Sequence, residues 1–238
     1  VLSRGLGDVY KRQFITFLEA MSEVAAYHKK LDQKLLENPE GRREEVETFA
    51  KGDYASALLQ GRRLSEADRE AIATQVSRYI GLDVETVKRF NLRVPPSYFR
   101  EELLKEAGVM LGRFDARVTG KDGDLASDYP DFDPSYSVVY GPYSATLNDY
   151  IRRELKYESD LIYEILSRRV HPWNYKDDFV GETITVTPKL AAAMSENPAL
   201  KVMVNVGYQD LATPYSAIRH SIDPVSYTHL TLPTSPKV

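Results

Sequence analysis

The residues whose types and spacing could do chemistry are concentrated in Lys201–Tyr215. Val202–Val206 is a short apolar, β-branched run, the pattern of a strand buried on both faces in a parallel sheet. Gly207 breaks the run, and Thr213-Pro214 has the form of a helix start, a hydroxyl cap followed by proline at the first helical position. Asp210 sits between them, in a loop at the carboxyl end of the expected strand, where parallel sheets open the crevice that takes ligands. On local pattern alone Asp210 either caps a turn, as Asp often does, or serves chemistry; both readings stay open.

Other chemistry-bearing residues are weaker candidates. His28 could be a ligand or a base, but no second histidine or carboxylate cluster stands at ligand spacing, so it reads as a packed or surface helix histidine. His171 precedes Pro172 without a visible partner, and His220 falls too soon after Asp210, on the helix that follows it. Arg152 and Arg153 could pair a substrate carboxylate, yet they lie on the polar face of their expected helix and read as solvated. Asp122, Asp124, Asp128, Asp131 and Asp133 crowd one loop, but the spacing is not that of an EF-hand and no Glu closes it, which favours a solvated acidic loop over a calcium site. Neither a glycine-rich phosphate loop nor a Gly-x-Ser-x-Gly nucleophile elbow occurs. No metal and no cofactor is expected.

The elements that would position these residues begin with helices. Phe14, Phe17, Leu18, Met21, Ala25, Leu31 and Leu35 recur at helical spacing over Phe14–Asn38, with lysines and glutamates between them, and Pro39-Glu40-Gly41 ends the helix. A second helix spans about Arg42–Gln60, with Gly52-Asp53 as a possible break. Ser65 caps a third that stops at Gly81, a shorter one covers Asp83–Phe90, and Pro95-Pro96 opens a fifth that ends at Gly108. Leu111–Val118 alternates apolar and charged residues and predicts a half-exposed strand. Ser135–Tyr157 predicts a helix after an irregular start at Gly141-Pro142, with Leu147, Tyr150, Ile151 and Leu155 as its buried stripe. Thr187-Pro188 starts another helix, which feeds the Val202 strand, so that the end of the chain reads as the tail of a doubly wound unit.

Val206-Gly-Tyr-Gln-Asp-Leu-Ala-Thr-Pro-Tyr215 resembles the segment around the catalytic acid of the serine carboxypeptidases, a branch of the α/β-hydrolases. Four further stretches are similar to bacterial members of that family. They are Ala25-Ala-Tyr-His-Lys-Lys-Leu31, the Phe49-Ala-x-Gly-Asp-Tyr-x-x-Ala-Leu-Leu-x-Gly61 run with Tyr79-x-Gly81-Leu82, Tyr140-Gly-Pro-Tyr143 through Leu155, and Val170-x-Pro172-Trp173. The resemblance implies an incomplete α/β-hydrolase with a large α-helical cap insertion. It implies that Asp210 is the acid that orients the histidine activating a serine nucleophile, and that the parent enzyme releases C-terminal residues from peptides. In that order of elements the serine precedes Phe14 and the histidine follows Pro224, so neither is in this chain, which alone is expected to be inactive. An acyl hydrolase of other specificity (esterase or acyltransferase) and a non-enzymatic helical interaction module remain as alternatives. Without the resemblance, an all-α binding module is the natural reading of the helices.

The two ends read as foreign. Asp8-Val-Tyr-Lys-Arg-Gln13 can be encoded by GATGTGTATAAGAGACAG, whose reverse complement in a shifted frame encodes Val225-Ser-Tyr-Thr-His229. One DNA tag, resembling the transposon end used in sequencing-library preparation, explains both segments and removes His229 as a candidate. The expected organisation is therefore 1–13 adapter, 14–110 helical cap, 111–185 the rest of the cap and the return to the sheet, 186–224 the acid-bearing part, and 225–238 adapter. Among the 238 residues, 42% apolar content can fill a core, and a net charge of −4 without a basic stripe argues against a nucleic-acid partner. No apolar run reaches membrane-spanning length, and the absence of cysteine excludes disulfides and thiolate metal sites. A peptide substrate is the one partner expected, and the resemblance favours export, periplasmic or extracellular, for the parent.

Overall fold

The computed structural model describes residues 5–121, 123, 127–128, 130–161, 163–170, 172, 174–175, 179–180 and 183–223, with side chains from Arg12 onward except at 168, 179–180 and 183–184. Asp122, Asp124, His171, Trp173, His229 and the expected adapter segment 225–238 lie outside them.

The first helix, α1 (Gly5–Tyr27), is the axis of the fold. Helices α3, α4, α5, α7 and α10 all pack on it. From Phe17 to Ala25 every residue is buried, polar ones included, so this is a core helix enclosed on all sides rather than one with a wet face. The chain reverses at Lys29, a left-handed residue, and α2 (Gln33–Glu37) follows, capped by the Asp32 carboxylate on the Leu35 N–H. The single helix expected over Phe14–Asn38 is thus two. Pro39 does not stop a helix but opens one, at the first position of α3 (Pro39–Phe49), where a missing N–H costs nothing. Gly52-Asp53 gives no break either: Ala50–Tyr54 widens into a π-helical turn that runs straight into α4 (Ala55–Gln60).

Three further helices follow the signals in the sequence closely. Ser65 caps α5 (Glu66–Ile80) through the Asp68 N–H at 3.1 Å, and Asp83 caps α6 (Val84–Arg89) through the Thr86 N–H at 2.7 Å. Pro95 is the cap residue of α7 (Pro96–Glu102), and a short 3₁₀ turn carries the chain to Gly108. Gly81 ends α5 at φ 71°, and a Cβ there would stand 2.8 Å from the Lys30 carbonyl, so glycine supplies both the left-handed turn and the close approach to the α1–α2 connection. One continuous core unites these helices, with Val24, Leu35, Val46, Ile80, Val87 and Phe99 among its fully enclosed members.

The expected α/β-hydrolase sheet is not what the chain forms. Among the described residues the strands make two separate antiparallel pairs, β1 (Val109–Leu111) with β2 (Thr119–Lys121) and β3 (Phe179–Val180) with β4 (Thr183–Ile184). Of the expected strand Leu111–Val118 only Leu111 is in a strand, the end of β1, and 112–118 is the hairpin connection: Asp115 turns the chain by accepting the Arg117 N–H, which overrides the alternation of apolar and charged residues. Val202–Val206 has no regular secondary structure and pairs with no strand among the described residues, and Met203 and Val206 are 73% and 39% exposed. A parallel strand is held by neighbours on both edges, and among the described residues no adjacent strand takes its backbone groups. The fold is therefore a helical body with strand content limited to short hairpins, and the doubly wound reading is overturned.

Three later helices complete it: α8 (Pro134–Arg153), α9 (Thr187–Glu196) and α10 (Tyr215–Ile222). Pro142 lies inside α8 without ending it. The expected buried stripe of α8 is not formed, since Tyr150 and Leu155 are exposed; α8 packs on β1 and β2, and Pro134 and Ser135 of its first turn are buried.

Replacing Gly81 by alanine adds the left-handed penalty, about 1–2 kcal/mol, to a backbone clash. Gly108, with similar φ but open space around its Cβ position, carries only the first of these costs. Urea unfolding should therefore show Gly81→Ala destabilising clearly more than Gly108→Ala; equal losses would contradict the close approach.

Candidate functional site

The Asp210 loop is built from the backbone up. Its entry is a turn in which the Asp210 N–H donates to the Gly207 carbonyl at 3.3 Å. The Asp210 Oδ1 then accepts the N–H groups of Ala212 and Thr213 at 2.7 and 2.9 Å. This is the turn-capping geometry that the residue type invites. It shifts the helix start by one residue from expectation: Pro214 is the cap and α10 begins at Tyr215. No hydrogen bond from the described residues reaches Asp210 Oδ2, and the residue is half-buried.

Two backbone bonds fasten this loop to the β1–β2 connection. Leu211, buried, donates its N–H to the Arg113 carbonyl at 2.9 Å, and Ala116 donates to the Gln209 carbonyl at 3.0 Å. The Ala116 carbonyl in turn accepts His28 Nε2 at 2.7 Å. His28 is thus a structural donor at the end of α1, as its lone position suggested, and it sits one residue-length from the loop that carries Asp210. Asp115 holds Arg117 in a two-pronged pair, with 2.8 Å between Oδ2 and Nη2, and the guanidinium keeps the Asp115 carboxyl below its usual range.

On the other side the loop is anchored through charge. Tyr208 stacks edge-on against Tyr215, with ring centroids 4.9 Å apart, and the Arg43 guanidinium lies 4.8 Å over the Tyr208 ring. Ser216 donates its hydroxyl to the Thr16 carbonyl. Arg219 of α10 reaches Glu47 at 2.7 Å and Glu19 at 3.3 Å. Glu23, one turn further along α1, pairs Arg42 at 3.0 Å and Arg43 at 3.4 Å. Desolvation raises the Glu19 carboxyl above its ordinary range in spite of Arg219, while Lys51 and Arg219 overcome desolvation at Glu47 and hold it below. The shorter Arg219–Glu47 contact agrees with this: the guanidinium serves Glu47 first. Burial, with Glu19 and Glu23 adding to it, drives the Tyr215 phenol far up, so the hydroxyl stays protonated.

Glu19 and Glu23 are the site residues that sequence reasoning missed. They look like the polar face of an amphipathic helix, and only their spacing of four, with basic residues Arg42 and Arg43 at the start of the next long helix, signals partners across the core.

The remaining candidates separate. His220 is exposed on α10 and makes no hydrogen bond to Asp210. Arg152 and Arg153 are solvated, as expected, and Arg153 pairs Asp149 at 2.5 Å. Asp128 and Asp131 are exposed, but Asp133 is not simply solvated: its Oδ1 accepts the N–H groups of Arg113 and Ser135, capping α8 and bracing the β1–β2 connection. Among the described residues no group of three or more His, Asp or Glu could hold a metal ion, and no helix is long and apolar enough to cross a membrane. Neither models of known protein families nor curated proteins nor solved structures match the chain.

Removing the Arg219 guanidinium leaves Glu19 buried without a cation, at a cost of roughly 1–3 kcal/mol at pH 7 for a partly exposed pair. Glu19, whose folded pKa lies above its unfolded one, favours folding at low pH and loses that contribution as pH rises; Glu47, with a lowered pKa, loses its contribution as pH falls. Both make Arg219→Ala less harmful in acid. Urea titrations should find the deficit shrinking from pH 7 to pH 4, and a constant deficit would contradict the Glu19 assignment.

Proposed function

We propose that this chain supplies the imidazole-orienting acid, Asp210, of a serine-type carboxypeptidase whose nucleophilic serine and basic histidine are encoded outside this sequence. The observation that carries the reading is the Asp210 carboxylate itself. One oxygen is fixed by two backbone N–H groups and the other makes no hydrogen bond to the described residues, in the segment whose sequence resembles that around the catalytic acid of this family. A carboxylate held in that way accepts an imidazole N–H without losing its own orientation, selects the tautomer and stabilises the imidazolium that forms.

In the proposed reaction serine attacks the carbonyl of the last peptide bond while histidine takes its proton. Histidine then returns the proton to the departing amino acid, and water releases the acyl group by the reverse path. Asp210 gives up no proton and forms no bond.

A fluorophosphonate probe should not label the 238-residue chain, and stoichiometric labelling would refute the proposal. In the intact parent enzyme Asp210→Ala should lower kcat/KM by about 10³–10⁴ for a blocked dipeptide. Unchanged turnover would remove Asp210 from the mechanism, and a preference for esters over every peptide tested would move the assignment to another acyl hydrolase.

A further inference from the structure

We infer that His28 is a positioning residue for Asp210 and acts through the backbone of Ala116. Its part in catalysis rests on the peptidase reading above; the tether itself does not. His28 follows the last residue of α1, and its backbone is fixed on both sides. The His28 N–H donates to the Val24 carbonyl at 3.1 Å, Lys29 turns the chain at φ 58°, and the Lys30 N–H returns to the Ala25 carbonyl at 2.9 Å. The half-buried imidazole lies edge-on to the Tyr27 ring, with 5.0 Å between centroids, and reaches the Ala116 carbonyl at 2.7 Å. A carbonyl only accepts, so Nε2 carries the proton, in the neutral ring as in the imidazolium. That nitrogen is committed to the backbone, which makes His28 an anchor rather than a base.

The connection 112–118 is held in two different ways along its length. At its start the N–H groups of Arg113 and Phe114 are held by the Asp133 carboxylate and the Ser135 hydroxyl, at 2.9 and 3.0 Å. Around Ala116 the turn is closed by bonds of its own. The Gly112 N–H meets the Val118 carbonyl at 2.8 Å, the Val118 N–H meets the Asp115 carbonyl at 3.1 Å, and the Asp115 carboxylate takes the Arg117 N–H at 3.0 Å. These bonds shape the turn but attach it to no other element. Ala116 makes the attachment. Its buried methyl sets the depth of the turn in the core, yet a methyl does not fix the directions of the N–H and C=O beside it. Hydrogen bonds do: the carbonyl is taken by His28, and the N–H donates to the Gln209 carbonyl at 3.0 Å.

The two backbone bonds that fasten the Asp210 loop are therefore secured from different sides. Leu211 is held through Arg113 from the start of α8, and Gln209 is held through Ala116 and His28 from the end of α1. Gln209 directly precedes Asp210, so its carbonyl sets the entry to the turn in which Asp210 Oδ1 caps Ala212 and Thr213. Without the imidazole the Ala116 carbonyl is buried with no donor, which is costly. The peptide then turns to find another partner and draws the Gln209 contact with it.

The test compares two variants with wild type in the full 238-residue chain. His28→Phe keeps a ring against Tyr27 and removes the donor; His28→Gln gives up the ring but places an amide N–H about where Nε2 stood. In NMR-detected hydrogen exchange the Ala116, Ala212 and Thr213 amides should exchange roughly three- to tenfold faster in His28→Phe, while the Thr86 amide on α6 keeps its wild-type rate. His28→Gln should restore all three. Unchanged exchange at Ala212 and Thr213, an equal acceleration at Thr86, or no rescue by glutamine overturns the proposal. In the intact parent enzyme His28→Phe should lower kcat roughly ten- to a hundredfold with KM unchanged, and His28→Gln should recover it; unaltered kcat removes the positioning role. Failure of the peptidase reading shows separately, as full turnover in Asp210→Ala with the exchange results intact.

Discussion

Two carboxylates buried in the middle of the core helix constrain everything around them. Glu19 and Glu23 lie on α1 at 3% and 4% exposure, where an uncompensated charge would be costly. The compensation comes from Arg42 and Arg43 of α3 and Arg219 of α10, which must therefore pack against α1 at fixed positions. Burial alone is indifferent to register, whereas a guanidinium must meet its carboxylate within hydrogen-bond reach. The charge ladder thus sets where α10 docks, and α10 in turn sets the loop immediately before it.

That loop is positioned from three directions. Helix α10 fixes its exit, the Tyr208–Tyr215 pair under Arg43 fixes its outer wall, and the β1–β2 connection fixes its inner edge through Leu211 and Ala116. His28 closes the circuit by tying the end of α1 to Ala116. Asp210 is held by backbone on a rigid frame, the arrangement that an orienting carboxylate needs. The proposed orienting role and the observed turn cap are compatible: one oxygen performs the cap, and the other makes no hydrogen bond to the described residues.

The boundaries of α5 and α6 are legible because their signals are local. Ser65, Asp83 and Gly81 do what their side chains, or lack of one, dictate within a few residues. The misreadings came where tertiary context decides. Phe14–Asn38 has the pattern of an amphipathic helix, in which a glutamate between apolar residues usually faces water, yet Glu19 and Glu23 face arginines distant in sequence. Val202–Val206 has every intrinsic property of a strand, but a strand is completed by its neighbours and none of the described residues pairs with it. The alternation in Leu111–Val118 matched a strand's period while Asp115 and Arg117 carried the turn. Asp210 was identifiable as a candidate from its loop and the resemblance, whereas the tethers that hold it became visible only in three dimensions.

The central claim is that Asp210 serves a serine and a histidine contributed by flanking sequence. Reading the source genomic DNA on both sides of codons 14–224 tests it most directly. The proposal predicts an in-frame Gly-x-Ser-x-Gly upstream and a histidine downstream of codon 224. An uninterrupted reading frame that offers no hydroxyl nucleophile ahead of α1 would contradict it.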